Sequence, residues 1–205
     1  MIDELRVYKL FPGKAEEYLN LSQSIAIPFR KDDYGKLLGF WSVASGTLSS
    51  VMNLWQHEDL ATRERLRDKL QAAEAWRGYT ERTHPLNQHQ TVRLLSAVLP
   101  LSVPATSGNT YEIRFIAAHT GKAGAVARLL RDAAPAGPNA ATIAIWTNLF
   151  GPINEVVCLC AHGDFQQSLK GKWSDEWAAF LRAHGSMIDQ IESQVLLPIA
   201  SSPLK

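Results

Sequence analysis

The feature that most constrains this chain is an internal repeat. Glu4-Leu5-Arg6-Val7-Tyr8 finds a counterpart in Glu112-Ile113-Arg114-Phe115-Ile116, an offset of 112 − 4 = 108. Gly13-Lys14 and Gly121-Lys122 keep that offset. Phe40-Trp41 then matches Ile145-Trp146, and His57-Glu58-Asp59-Leu60 matches His162-Gly163-Asp164-Phe165, both at 105. Trp76 and Tyr79 match Trp177 and Phe180 at 101. The offset falls in small steps, as it does when loops and helices change length while the elements keep their order. The chain is therefore expected to fold as one unit of about a hundred residues used twice.

The boundary follows from turn chemistry. An apolar run ends at Leu99-Pro100, and Val103-Pro104-Ala105-Thr106-Ser107-Gly108-Asn109 is rich in proline, glycine and serine. Proline cannot donate to a β-ladder and glycine admits unusual dihedrals, so a linker is expected over 101–109, between units at 1–100 and 110–205.

Within the first unit, Leu5-Arg6-Val7-Tyr8-Lys9-Leu10 alternates with period two and predicts a strand ended by Pro12-Gly13. Ala15, Tyr18, Leu19, Ser22, Ile25 and Phe29 fall at helical spacing, with Pro28 expected to kink or end that helix. Lys36 to Ser45 and Ser49 to His57 predict two strands joined through Gly46-Thr47-Leu48 as a hairpin. Asp59 is placed to cap a helix that turns Leu66, Leu70 and Ala73 inward, and Val92 to Leu99 supplies a last strand. In the second unit Phe165, Leu169, Trp173 and Trp177 form an apolar stripe that Gly171 and a Ser174 cap are expected to split, and the first unit is expected to break likewise before Trp76.

The order β-α-β-β-α-β is the ferredoxin-like arrangement, an α+β unit with helices on one face of a four-stranded antiparallel sheet. Its bare face needs cover. Two tandem units can supply it by pairing their sheets into an α-β barrel. The strands near Leu38 and Val51 are apolar on both faces, which fits strands that meet no water.

Glu4-Leu5-Arg6-Val7-Tyr8, Pro12-Gly13-Lys14, Tyr34-Gly35-Lys36-Leu37, Gly39-Phe40-Trp41, Leu54-Trp55, Asp59-Leu60, Arg63, Arg67, Trp76 and Tyr79 together resemble the NIPSNAP family across residues 1–100. Residues 110–199 resemble it more distantly: Ala144-Ile145-Trp146 stands for Gly-Phe-Trp, Leu159-Cys160 for Leu-Trp, and the arginines after Asp164 are missing. The resemblance implies the dimeric α-β barrel superfamily, which also includes cofactor-free monooxygenases, haem-degrading enzymes and lactone isomerases. A fold of that kind does not name a reaction.

Several residues carry two readings. Glu4, Arg6 and Tyr8 share one face of a strand, and Glu112 with Arg114 repeats the pair. On a lumen wall the arginines would bind an anionic or carbonyl group; alternatively each pair neutralises itself. Trp41, Trp55 and Trp146 can line an apolar pocket or fill a core. His57 and His162 each end a strand before an acidic residue, as catalytic bases or as turn elements. His84 and His89 lack metal-ligand spacing, and Cys158 with Cys160 read as small packing residues, so no metal is expected.

Twenty-one Lys and Arg against twenty Asp and Glu leave a formal charge of +1, which offers no electrostatic footprint for nucleic acid or anionic lipid. No phosphate-cradling glycine loop, nucleophile elbow or zinc-protease helix motif occurs. The absence of a signal-like N-terminus, of a long apolar run and of a disulfide framework predicts a cytoplasmic protein without a membrane partner. The expectation is thus a small-molecule-binding or protein-interaction protein using a barrel pocket drawn from Arg6, Tyr8, Trp41, Trp55, His57, Arg114, Trp146 and His162, with no cofactor. The alternative is a cofactor-free monooxygenase or isomerase. Homo-oligomers remain open through exposed sheet edges. Any site is expected to be asymmetric and to draw mainly on the first unit.

Overall fold

A computed structural model of the protein describes residues 1–105, 107–134, 142–171 and 174–205, so Thr106 of the linker and Trp173 of the apolar stripe lie outside the described residues. The first unit runs β1 (Ile2–Leu10), α1 (Ala15–Leu21), a π-helical turn (Ser22–Ala26), α2 (Ile27–Arg30), β2 (Lys36–Ser45), β3 (Ser50–His57), α3 (Leu60–Ala72), α4 (Glu74–Thr83) and β4 (Asn87–Leu99). The second runs β5 (Thr110–Ala118), α5 (Ala123–Ala133), β6 (Thr142–Phe150), β7 (Glu155–His162), α6 (Phe165–Gly171), α7 (Asp175–His184) and β8 (Ile188–Pro198).

Local chemistry explains the breaks. Asp59 Oδ1 accepts from the Thr62 amide at 2.7 Å and starts α3, and Ser174 Oγ accepts from the Trp177 amide at 3.2 Å and starts α7. Ala73 adopts an extended conformation (φ −75°, ψ 128°), so α3 and α4 are separate helices, divided just before Trp76. Pro28 lies at the start of α2, where its missing amide costs little.

All eight strands close into one antiparallel barrel in the order β1-β3-β2-β8-β5-β7-β6-β4. Each unit contributes four consecutive neighbours. The seams are β2 with β8, from Trp41 opposite Pro198, and β4 with β6, from Leu94 opposite Phe150. Pairing at both seams is short, covering Trp41–Ser45 of β2 and Leu94–Leu99 of β4, so among the described residues Lys36–Phe40 and Asn87–Arg93 pair with no strand of the other unit.

The lumen is a core, not a pocket. Leu5, Trp41, Leu54, Leu95, Ile113, Trp146, Val157 and Leu159 fill it and leave only about 10 Å³, barely a water's worth of space. This corrects the expectation of a barrel pocket, and the cause is strand parity. On β1 it is Leu5 and Val7 that point inward, so Glu4, Arg6 and Tyr8 lie on the outer face beneath the helices. The β2–β3 register shifts between Leu37 and Gly39, which turns Trp41 inward while Trp55 faces outward. Gly39 is needed there, because a Cβ at that position would collide with the Trp41 ring. Trp146 is pinned from the other unit: its Nε1 donates to Asp3 Oδ2 at 2.7 Å. Leu204, in the C-terminal tail, packs onto the same core.

Candidate functional site

The first unit's helices leave a cavity of about 210 Å³ against the outer face of its sheet. Arg6 and Tyr8 of β1, Phe40 of β2, and Asn53 and Trp55 of β3 form its floor. Tyr18 of α1, Ser22 and Ala26 of the π-helical turn, Arg30 of α2, Arg67 of α3, and Trp76 and Tyr79 of α4 form its walls. A π turn widens a helix locally, and here it carries two wall residues. Ser22 Oγ donates to the Tyr18 carbonyl at 2.8 Å and lies 2.9 Å from the Tyr79 hydroxyl. A wider dip of about 410 Å³ over Glu16, Glu17, Asn20 and Arg82 is open to solvent and has no buried polar side chain.

Charge around the cavity is unequally shared. Glu4, buried at the edge of the site, accepts from Arg6 Nη1 at 2.6 Å and from Arg63 Nε. Burial alone would raise its carboxyl, but Arg6 and Arg63 outweigh burial and hold it at about 2. Burial would lower Arg6, yet Tyr8 and Glu4 more than compensate, so it is raised above its ordinary value. Its Nε also donates to the Tyr8 hydroxyl at 2.6 Å. Arg6 thus has its counterion. Arg67 lies 3.9 Å from the same carboxylate, already engaged twice, and burial followed by repulsion from Arg6 lowers it.

Arg30 is the exception. It is only 8% exposed, and among the described residues no carboxylate lies within ion-pair distance of it. Its guanidinium stacks 3.5 Å over the Trp55 ring and lies 5.5 Å from that of Trp76. One nitrogen donates to the Tyr34 carbonyl at 3.0 Å, while Nε has no hydrogen-bond partner. Burial lowers it to about 10, so it is charged at neutral pH. The helix that carries it ends at Lys31, a non-glycine residue at φ 44°, ψ −134°, where strain of about 1–3 kcal/mol is ordinary. Gly35 (φ +106°) then lets the chain pass His57, whose ring a Cβ would strike.

The anticipated residues divide among three places. Arg6, Tyr8 and Trp55 reach this cavity. Trp41 and Trp146 fill the lumen, and inward-turned rings cannot reach a site on the outer face. His57 is buried behind the cavity, its Nε2 3.9 Å from Glu4, and burial lowers it despite that carboxylate. Arg114 and His162 belong to the second unit, around Glu112: Arg114 donates to Glu112 at 2.7 Å, and His162 Nε2 lies 3.6 Å away. His84 lines the cavity rim, whereas Cys158 and Cys160 are buried thiols, both raised by burial. No cluster of groups suited to a metal occurs among the described residues.

Residues that the pattern did not single out as site residues supply most of the cavity. Tyr18 and Ser22 figure in the sequence only as one side of a helix. Arg30 resembles any basic residue at a helix C-terminus. Arg67 carries a signal through the family resemblance.

The NIPSNAP family model matches twice, over residues 3–100 and 111–203. The chain belongs to the NIPSNAP family. Among curated NIPSNAP proteins, the mouse (Mus musculus) Protein NipSnap homolog 2 is 37% identical over 94 residues, covering 46% of this chain and 33% of that protein. The match thus spans about a third of the relative's length. Among solved structures, a Fusobacterium nucleatum protein provisionally called a monooxygenase superposes with a TM-score of 0.73 at 11% identity, over 100% of this chain and 92% of that one. A Lactobacillus acidophilus protein given the same provisional name reaches 0.68 at 10% identity, over 96% and 93%. At such identities the likeness concerns the fold, which the NIPSNAP chain shares along its whole length.

Proposed function

We propose that this NIPSNAP protein binds a small anionic molecule in the cavity between the sheet and helices of its first unit. The observation that carries the reading is Arg30, a buried cation at the cavity wall without a carboxylate partner. A buried charge is costly unless paired, and an anionic ligand would pair it. Arg67 adds a second guanidinium whose nearest carboxylate is already engaged by Arg6 and Arg63. The reading keeps a small-molecule function and moves it from the lumen to the outer face. Calorimetric titration with acetate, benzoate and inorganic phosphate tests it: saturable binding that weakens with salt and is lost in Arg30→Met supports it, and no saturable binding of any anion contradicts it.

A second reading is a cofactor-free oxygenase or isomerase acting in the same cavity. The Tyr8 hydroxyl at the cavity floor, which accepts from Arg6 Nε at 2.6 Å, favours it, since a hydroxyl donor can stabilise an enolate. Binding is the better supported, because Glu4, held at about 2 and paired with two arginines, is a poor general base.

The proposal includes a reducing, cytoplasmic compartment, supported by two free, buried cysteines, Cys158 and Cys160. Among the described residues no helix is long and apolar enough to cross a membrane. The balanced charge supports a reading without nucleic-acid or membrane partners. Units at 1–100 and 110–205 about a linker at 101–109 complete it.

A further inference from the structure

The cavity's polar and aromatic groups narrow the class of anion, an inference that rests on the binding proposed above. Two wall residues besides Arg30 carry buried polar atoms without a hydrogen-bond partner: Trp76 at Nε1 and Asn87 at Oδ1. The Asn87 amide is oriented unambiguously, because its Nδ2 donates to the Thr83 carbonyl at 2.7 Å, leaving the oxygen as the open acceptor. Buried polar groups are ordinarily satisfied. A complementary ligand therefore accepts hydrogen bonds at Arg30 and Trp76, and donates one to Asn87.

Shape adds a second constraint. The walls are largely flat: Tyr8 and Tyr18 lie with ring centroids 5.5 Å apart, and Trp76 and Tyr79 4.9 Å apart. The Arg30 guanidinium, itself planar, already stacks on Trp55. At about 210 Å³ the cavity lies below the usual range for drug-sized ligands, about 300–1,000 Å³, and suits a single ring with short substituents. A rigid flat ring also loses little conformational freedom on binding.

We propose that the ligand is a compact aromatic carboxylate bearing a hydroxyl or amino donor, with its carboxylate at Arg30 and its donor at Asn87. No bond is made or broken in this step. It is recognition alone, by charge, by plane and by one donor.

Titration calorimetry on the full chain tests it with five probes: inorganic phosphate, benzoate, cyclohexanecarboxylate, and 3- and 4-hydroxybenzoate. The expected order places at least one hydroxybenzoate about 10-fold tighter than benzoate, and benzoate tighter than cyclohexanecarboxylate and phosphate. In Asn87→Leu the hydroxybenzoate advantage should fall to about 1, with benzoate affinity kept; thermal melting checks that the variant is folded. Should Asn87→Leu not fold, Trp76→Phe, which removes the indole donor and keeps a ring, should weaken benzoate and hydroxybenzoate alike. Cyclohexanecarboxylate binding as tightly as benzoate, or hydroxybenzoates gaining nothing over benzoate, would overturn the aromatic hydroxy-acid class while leaving anion binding intact. If none of the five binds, both this class and the anion site fail.

Discussion

The two units share a frame and differ in what they do with its outer face. Each puts a Glu–Arg pair on its first strand, a histidine at the end of its third and an aromatic pair on its last helix. In the first unit, Tyr8, Tyr18, Ser22, Asn53 and Tyr79 bring polar groups to an open cavity. At the same register the second unit has Ile116, Val126, Leu130, Cys158 and Phe180. Ile116, Val126 and Cys158 are packed with Ala127 and Ile145 into a closed apolar cluster, with Leu130 against it. Arg114 there lies 4.6 Å over the Trp177 ring and bonds its own glutamate. A barrel of this kind needs both sheets to bury its lumen, but it needs only one helical layer to be hollow. Duplication thus lets one copy specialise in packing while the other keeps an open cavity.

Glutamate removal should separate the units most. Glu4→Gln takes the counterion from buried Arg6 and leaves Arg63 with Glu64 alone, and should cost about 3–5 kcal/mol in urea unfolding. Glu112→Gln should cost less, since it strands one guanidinium that keeps its contact with Trp177. Equal losses would break the comparison. Acid should act in the same direction on both. Glu4 and Glu112 have folded values of about 2 against an ordinary 4.5, so their contribution is complete above 4.5 and is lost as pH falls toward 2. His57 is likewise lowered, from 6.5, so stability should begin to fall below about pH 6.5 and drop more steeply below 4.5, as followed by circular dichroism.

Arg30→Met should split stability from binding. Affinity for the anion should fall about 100-fold, equivalent to about 2.7 kcal/mol, because a desolvated charge pair is lost. The unliganded protein should melt at the same temperature or higher, because Met keeps packing against Trp55 while removing an unpaired buried cation. A marked fall in melting temperature without ligand would recast Arg30 as structural.

The lumen tryptophans should differ by a smaller margin. Trp146→Phe takes the donor from Asp3, whereas Trp41 Nε1 has no hydrogen-bond partner to lose. Chemical denaturation should therefore find Trp146→Phe about 1 kcal/mol costlier than Trp41→Phe.

Much of the fold was legible because it rests on local rules: period-two strands, the Asp59 and Ser174 caps, and the break before Trp76. The facing of the strands was not. Both sides of β1 read as plausible interior, one aliphatic (Leu5, Val7) and one carrying Glu4, Arg6 and Tyr8. The aliphatic row won the lumen because the packed centre offers a charge no partner; Asp3, in the same row, is admitted only near the strand's start, where it accepts from Trp146 and Gln56. Trp55 and Trp41 parted faces at a bulge that alternation alone does not reveal. Arg30 stayed hidden for a longer-range reason. Its burial depends on the strained turn at Lys31 and on Trp55, twenty-five residues further on (55 − 30), so no local pattern marks it.

The most direct test of a site confined to the first unit is a backbone-amide NMR titration of the isotopically labelled chain with 4-hydroxybenzoate. The account predicts shift changes concentrated on Arg6–Tyr8, Tyr18–Arg30, Asn53–Trp55 and Trp76–Asn87, with Glu112–Ile116 and Cys158–His162 unmoved. Changes centred on the second unit, or on lumen residues such as Leu5, Ile113 and Leu159, would contradict it.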